Sequence, residues 1–539
     1  ARPAAPAPAA VAPIAEAPPA APARTVTVRS PLYEYRFSTR GAALTGASLL
    51  QYESYARPNE QVQLVPSGAT LLGNRVVLGR DTLDLASAAF EPSAERLVLS
   101  ARGGVQKLTF RYGAGGVGAE VTYTFRPESY LVDVEGRLTG LPGAATVLTS
   151  LGTGLAPHDA PEHGQERELS AVGWNRERIE RLPLRKVRGA DTIAGPLEWA
   201  GIKDRYFLVA LVAGQGPKFA RLLSVDAPDE RYAVRGKAQV SPRARTYTVL
   251  PVGPDGRFAF QAYLGPQEHD RLVAVGHELE EVNPYGYRWL RPVVRPIAAV
   301  VLWVLKELHD GLGMAYGWVL VIFGVMMRVV LWPLNAKAMR AQMRNMAVQP
   351  QLQARMKQIQ ETYRNDPAGQ QRAMIETYRE LGVSPFSMLS GCLPMLIPMP
   401  VLITLFFVFQ SAIEFRGEPW GWLPDLSLKD PWFILPIFLM ASMFALSWVS
   451  NKLSGIEQNP QMKMMMWMMP IMMGVIFWAL PSGLNLYYAT TNIASIPQQV
   501  LVAKERRRAI DEQKAKEAQQ KALRKGSGPP RARQAKRKG

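Results

Sequence analysis

The residue whose surroundings most demand a chemical explanation is Arg328, alone in the run WVLVIFGVMMRVVLWPLN (318–335). A guanidinium keeps its proton and is costly in hydrocarbon, so it must reach the polar boundary or face water inside a bundle. Pro333, near the end of the run, is about five residues on, roughly 8 Å at helical rise, which leaves a boundary-seeking side chain open. Yet no Asp or Glu stands in any long apolar segment to act as a salt-bridge partner. The chemistry in prospect is recognition of water or a passing acid. A second polar set lies in PSGLNLYYATTNIASIPQQ (481–499), where Asn485, Tyr487, Tyr488, Thr490, Thr491 and Asn492 interrupt an otherwise apolar stretch. These residues suit either hydrogen bonds between helices or the polar wall of a hydrated groove. A third set is QMKMMMWMMPIMMG (461–474), whose eight methionines could fill a core or accommodate varied apolar partners.

Conventional catalytic chemistry finds little support. HExxH, Walker A and GxSxG patterns are absent, and GAGGVG (113–118) lies between strand-like segments rather than opening a helix. His158 and His163 share a polar loop without a convincing third ligand. The single cysteine, Cys392, excludes an intrachain disulfide and nearly excludes a cysteine-based metal site. Neither an enzyme nor a cofactor or metal is expected.

The elements that must position these residues follow from a sharp division of the chain. Residues 1–24 are almost wholly Ala and Pro, which favours an extended, semi-rigid linker. The first residue is Ala rather than Met, so an upstream signal or anchor segment is expected. Over 25–283, runs such as LYEYRF, VTYTFRP (121–127) and YLVDVEGRL (130–138) alternate polar and apolar residues between Gly/Pro turns. That pattern predicts an all-β, twisted antiparallel sandwich. From 284 to 315 the texture is helical, and PIAAVVLWVLKELHD (296–310) is too short to span a bilayer but suits an interfacial helix, with Trp289 and Trp303 at that level.

Five apolar segments follow within 316–503, at about 316–334, 388–411, 432–449, 464–480 and 484–503, predicting a membrane α-helical bundle of five transmembrane helices. The connecting segment 335–385 carries eight Lys/Arg against four Asp/Glu, and the tail 504–539 fourteen against four. Counting positive residues therefore places both in the cytoplasm and 25–283 outside. Within 335–385, Leu352, Met356, Ile359 and Tyr363 recur at helical spacing. Asp366 and Pro367 then start a second helix that shares Ile375, Tyr378 and Leu381 on one face, predicting a cytoplasmic helical hairpin. The basic tail reads as solvated disorder or attraction to a membrane surface, with nonspecific contact to ribosomal RNA as a further use.

Together the stretches YGWVLVIFGVMMRVVLWPL (316–334), GCLPMLIPMP (391–400), DPWFILPI (430–437) and PSGLNLYYATTN (481–492) resemble the YidC family of membrane protein insertases. GIKDRYF (201–207), YLGPQ (263–267) and YGYRWLRPVVRP (285–296) look like the periplasmic domain of its Gram-negative members and the exit from it. The resemblance implies a non-enzymatic insertase and chaperone of the bacterial inner membrane, with residues 25–283 in the periplasm. Five core helices would enclose a hydrophilic groove open to cytoplasm and lipid but closed toward the periplasm. Arg328 aligns with the family's groove arginine, and Gly324, Asn485, Tyr487, Tyr488 and Asn492 would line the same groove. Leu393, Leu396, Met464, Met468 and Met472 would form the apolar slide along which a nascent membrane protein enters the lipid bilayer. The ribosome and the Sec translocon are the partners the family implies. This sequence departs from the family pattern at Gly324, one turn before the arginine, where a hydroxyl residue is frequent. Many Gram-negative members begin with an additional transmembrane helix, and here such a helix is expected upstream of Ala1.

Other classes fit less well. A small-solute transporter or channel would be expected to show an intramembrane carboxylate for proton coupling, or inverted repeats, and neither is apparent. A membrane-anchored sugar- or lipid-binding module would leave five well-patterned apolar segments unexplained. The missing acidic partner, the polar last segment and the resemblance together favour a wet groove around Arg328.

Overall fold

A computed structural model describes residues 22–114, 116–283, 289–337, 354–380, 399–454 and 460–526. They form two compact units divided between Pro284 and Tyr285, with Ser411–Glu414 belonging to the first.

In the first unit the alternation becomes strand. Tyr33, Tyr35 and Phe37 are buried on one face of Tyr33–Ser38, while Glu34 and Arg36 lie on the other. The described residues form sheets of nine, six and five strands. The pairs are antiparallel except Thr25–Arg29 with Arg96–Val98, which run parallel. The expected β-sandwich is therefore present. GAGGVG closes a hairpin between Gln106–Ala114 and Val117–Phe125. In GPDG, Gly256 has φ +74°, and a Cβ there would stand 2.1 Å from the Leu138 carbonyl oxygen, so only glycine fits. One strand, Phe207–Ala213, is buried at every position because both faces of the nine-stranded sheet are covered there.

The two histidines do not sit in a solvated loop as their surroundings in the sequence suggest. His158 and His163 are both buried, and His158 Nε2 lies 3.0 Å from Asp204 Oδ2. Gln165 Nε2 also donates to Asp204 Oδ2 at 2.9 Å, and the amides of Tyr206 and Phe207 donate to Asp204 Oδ1. The network cross-links the loop to the sheet. Among the described residues no group of three or more His, Cys, Asp or Glu could hold a metal.

The end of this unit is held by a buried lysine. Lys203 Nζ donates to Asn283 Oδ1, and Asn283 Nδ2 donates to Gln267 Oε1 at 2.8 Å. Burial, with the Arg181 cation nearby, pushes the Lys203 ammonium down from 10.5 to about 7, against the pull of Glu168 and Asp204. Between those values the unfolded chain binds more protons than the folded one, so stability rises with pH from about 7 to 10.5. Below 7 the full penalty of charging a buried amine remains. Lys203→Met is expected to flatten this rise, which pulse proteolysis of the full chain at graded urea and pH would register. Equal slopes in both proteins would remove the assignment.

The second unit is helical. Its elements are α1 (Arg291–Leu312), α2 (Tyr316–Val330), α3 (Pro367–Glu380), α4 (Met399–Ser411), α5 (Ile434–Ser454), α6 (Pro460–Phe477), α7 (Ser482–Ala494) and α8 (Ile496–Gly526). In α1, Val294, Ala298, Val301 and Leu305 are buried at helical spacing while Val300 and Trp303 are exposed, as an amphipathic helix requires. The hairpin forms from residues 354–362 and α3, with Asp366 Oδ1 accepting the Gly369 amide at 3.0 Å as an N-cap. Ile359 and Tyr378 are buried, but Tyr363 and Ile375 are exposed. Leu352 and Leu381 lie outside the described residues.

The described helices are shorter than the apolar text in one region and longer than the charged text suggests in another. Among the described residues, no helix is long and apolar enough to cross a membrane. α2 has 15 residues, roughly 22 Å at helical rise against a hydrocarbon core of about 30 Å. The predicted first segment breaks at Leu331, and the last divides at Ser495, just before Pro497, into α7 and α8. The tail is likewise not disordered up to Gly526: α8 runs 31 residues through it. Its Ala, Glu, Lys, Arg and Gln are strong helix formers, and no glycine or proline interrupts them between Pro497 and Gly526.

Candidate functional site

The site is built where α2 and α7 lie side by side. Phe323 packs against Tyr487 with ring centroids 5.7 Å apart. One residue on, Gly324 is buried against α7, where a Cβ would stand 3.2 Å from Thr490 Cγ2 and 3.3 Å from the Tyr487 carbonyl oxygen. The Thr490 hydroxyl turns away to donate to the Leu486 carbonyl oxygen at 2.9 Å. Gly324 thus lets two helices approach closely, the use small residues serve between membrane helices.

One turn beyond, Arg328 lies half-buried in the last turn of α2. Its electrostatic neighbours are the phenols of Tyr487 and Tyr488. Long helical side chains lean toward the N-terminus of their helix, which takes the guanidinium back along α2 toward those rings. Its Nε is buried and hydrogen-bonds to none of the described residues. Tyr487 is 5% exposed, and the Tyr488 ring lies tilted against that of Phe477, centroids 5.0 Å apart. A forked cation with an unused donor, flanked by two phenols, can bind water or an acidic group and cannot by itself make or break a bond.

The other polar residues of α7 divide between the two ends of the helix. Asn485 is fully buried; its Nδ2 donates to the Phe477 carbonyl oxygen at 3.1 Å, a second bond beside that from the Leu480 amide at the end of α6. Its Oδ1 is buried without a hydrogen bond. Asn492 Nδ2 donates to Ser442 Oγ at 3.3 Å, tying α7 to α5. Thr491 donates back to the Tyr487 carbonyl oxygen at 2.8 Å. Gln498, at the start of α8, is buried and its Nε2 donates to the Trp332 carbonyl oxygen at 3.1 Å. Sequence reasoning assigned no role to Gln498 or Ser442. The polar text PQQ offered a signal for the glutamine, whereas a lone serine inside an apolar run offered none.

The methionines stand apart from this polar seam. Met464, Met468 and Met472 are exposed at steps of four along α6, together with Trp467, Ile471 and Val475. The opposite face packs on α5, where a Cβ on Gly474 would meet Met440 Sδ at 2.1 Å. α6 therefore presents a broad apolar face outward. Leu393 and Leu396 lie outside the described residues, as does Cys392.

Comparison with known proteins adds an independent line. The family model of the 60Kd inner membrane protein matches residues 307–509, and that of the YidC periplasmic domain matches 25–300. A membrane protein insertase YidC of Syntrophus aciditrophicus (strain SB) is 28% identical over 494 residues, covering 89% of this chain and 85% of that protein. One from Burkholderia ambifaria (strain MC40-6) is 29% identical over 497 residues, covering 90% and 85%. A solved structure described as an active YidC insertase with its first transmembrane domain resolved aligns over 88% of this chain and 94% of that one, at 19% identity and a TM-score of 0.33.

Proposed function

The chain belongs to the YidC family of inner-membrane protein insertases, and from that premise we propose that its α2–α7 seam is a hydrated groove for the polar part of an inserting protein. It is a membrane protein insertase of the inner membrane, not an enzyme, and it acts on nascent membrane proteins. In the proposed mechanism Arg328 holds water at rest and an acidic side chain or terminus of the substrate in passage. Tyr487, Tyr488 and Asn492 carry the polar wall, and Gly324 sets its width. Each polar residue accommodated partway through the unit shortens the hydrocarbon path left to cross, which lowers the cost of moving a charge. The substrate's apolar stretch then leaves along Leu393, Leu396 and the outward face of Met464, Met468 and Met472.

The observation that carries this reading is the place of Arg328 beside two phenols, Tyr487 buried and Tyr488 half-buried. A boundary-seeking side chain would extend the other way. In the same reading the helical unit contributes five spans, residues 25–283 are periplasmic, and the hairpin and α8 face the cytoplasm. The excess of Lys and Arg in 335–385 and 504–539 supports that orientation. The hairpin and basic tail then meet the ribosome, with its RNA as a nonspecific contact, and the Sec translocon is a further partner.

Site-specific crosslinking of a stalled nascent chain provides the test. Photoreactive residues at the positions of Gly324, Tyr488 and Met468 are expected to capture it, and one at exposed Trp303 on α1 is not. Capture at α1 alone would sink the groove.

A further inference from the structure

One end of the helical unit is tied together by the loop 415–433, and a single carboxylate organises that loop. Asp430 is 1% exposed. Its Oδ1 accepts from Trp422 Nε1 at 3.2 Å and from the Trp432 amide at 3.1 Å, and its Oδ2 accepts from the Leu435 amide at 2.7 Å. The third bond caps α5 from upstream, while the first pulls the loop's earlier half onto the same carboxylate. Phe433, between them, is held at φ +56°, an unusual backbone for a bulky residue, with its ring stacked 4.0 Å from that of Trp478 in the α6–α7 turn.

So fixed, the loop presents its carbonyls to the start of α7. The Ser482 amide donates to the Leu428 oxygen at 2.6 Å, and the Gly483 amide to the Leu426 oxygen at 2.9 Å. Ser482 Oγ donates to the Asp425 carbonyl oxygen at 3.1 Å. A side chain on Gly483 could not be accommodated, because its Cβ would stand 2.5 Å from Phe409 Cε1 and 3.1 Å from the Leu426 oxygen. The first amides of α7, which water or ions would otherwise meet, are covered by backbone. We infer that Asp430 is a positioning residue for insertion: by holding the loop across the start of α7 it closes that end of the polar seam and leaves the Arg328 end accessible. This rests on the groove reading above, because a closure matters only if the seam is wet.

The alternative is that Asp430 does no more than cap α5, and the two roles separate in a leak measurement. The full chain would be reconstituted into phosphatidylethanolamine/phosphatidylglycerol vesicles without substrate, under a potassium gradient, as wild type, Asp430→Ala, Asp430→Asn and Trp422→Phe. Asp430→Ala is expected to raise potassium leak about tenfold, the scale of stranding buried hydrogen-bond donors. Asp430→Asn, which keeps one acceptor oxygen, should leak less, and Trp422→Phe, which gives up one bond, least. Leak in that order supports the inference. Vesicles as tight as wild type, with only a lowered unfolding temperature, overturn it. If Asp430→Ala is not recovered folded, Trp422→Phe decides by the same criterion. Arg328→Ala in parallel keeps the readings apart, since it bears on insertion and leaves the loop's bonds intact.

Discussion

Replacing Arg328 by alanine is expected to cut insertion of substrates with an acidic translocated segment by about tenfold or more, the equivalent of one charge-assisted contact of about 1.5 to 3 kcal/mol. The variant removes the one cation of the α2–α7 seam and leaves Tyr487 and Tyr488 in place. It should fold, because among the described residues no ion pair or hydrogen bond involving Arg328 secures the packing of α2. Substrates whose translocated segment is uncharged should lose less, and Arg328→Lys should fall between, since an ammonium keeps the charge but not the planar fork. The measurement is protease protection of translocated segments in reconstituted vesicles, with matched acidic and neutral substrates. Equal insertion of every substrate by the alanine variant would exclude the arginine from the mechanism. An equal loss for all would point to damage of the bundle.

The second large effect is expected at Gly324. Serine there restores the hydroxyl that resemblance to the family leads one to look for, and on sequence grounds alone it should improve the groove. The packing argues for the opposite sign. A Cβ already meets Thr490 Cγ2 and the Tyr487 carbonyl oxygen within 3.3 Å, so Gly324→Ser must push α7 from α2. Such overpacking typically costs about 1–3 kcal/mol, and Gly324→Leu should cost more and abolish insertion. Thr490→Ala, which removes the opposing methyl, should rescue much of the serine variant. Unfolding temperature and insertion measured on the single and double variants form a cycle that reports the coupling. A serine variant that is as stable as wild type and inserts faster would show that the seam has room to spare.

Gly324 also marks the boundary of what could be read from the sequence. The sheet unit was legible because period-two alternation depends only on nearest neighbours along a strand, as in Tyr33, Tyr35 and Phe37. The hairpin turn was legible because Asp366 and Pro367 carry their capping chemistry locally. Close approach of two helices is decided by residues some 165 apart, Gly324 and Thr490, and no local pattern records it. The same holds for Asp430, whose importance comes from Trp422 on one side and Leu435 on the other, and for His158, whose partner Asp204 arrives from the distant turn between Trp199–Lys203 and Phe207–Ala213. Arg328 itself stood out because its cost is written in its neighbours. Its partners were not legible, since hydrophobicity fixes that a cation is anomalous and says nothing of which rings surround it. Helix lengths were overestimated where apolar text continues across Leu331 and Ser495, because hydropathy does not register a break in backbone hydrogen bonding.

α2 and α7 start at the same loop and run side by side in the same direction. The Trp420 ring covers Gly317 near the start of α2, and Leu426 and Leu428 cover the start of α7. Their peptide dipoles therefore add. The negative ends of both point the same way, and Arg328 sits in the last turn of α2, where a helix favours a cation. The missing carboxylate is in this sense replaced by backbone. Peptide dipoles do not titrate, and they do not occupy the guanidinium's hydrogen-bonding edge as a fixed Asp or Glu would. The arginine is held by a field that leaves its Nε donor unused, so on the groove reading an incoming acid need not displace a resident one, and the hold should not fade as pH drifts.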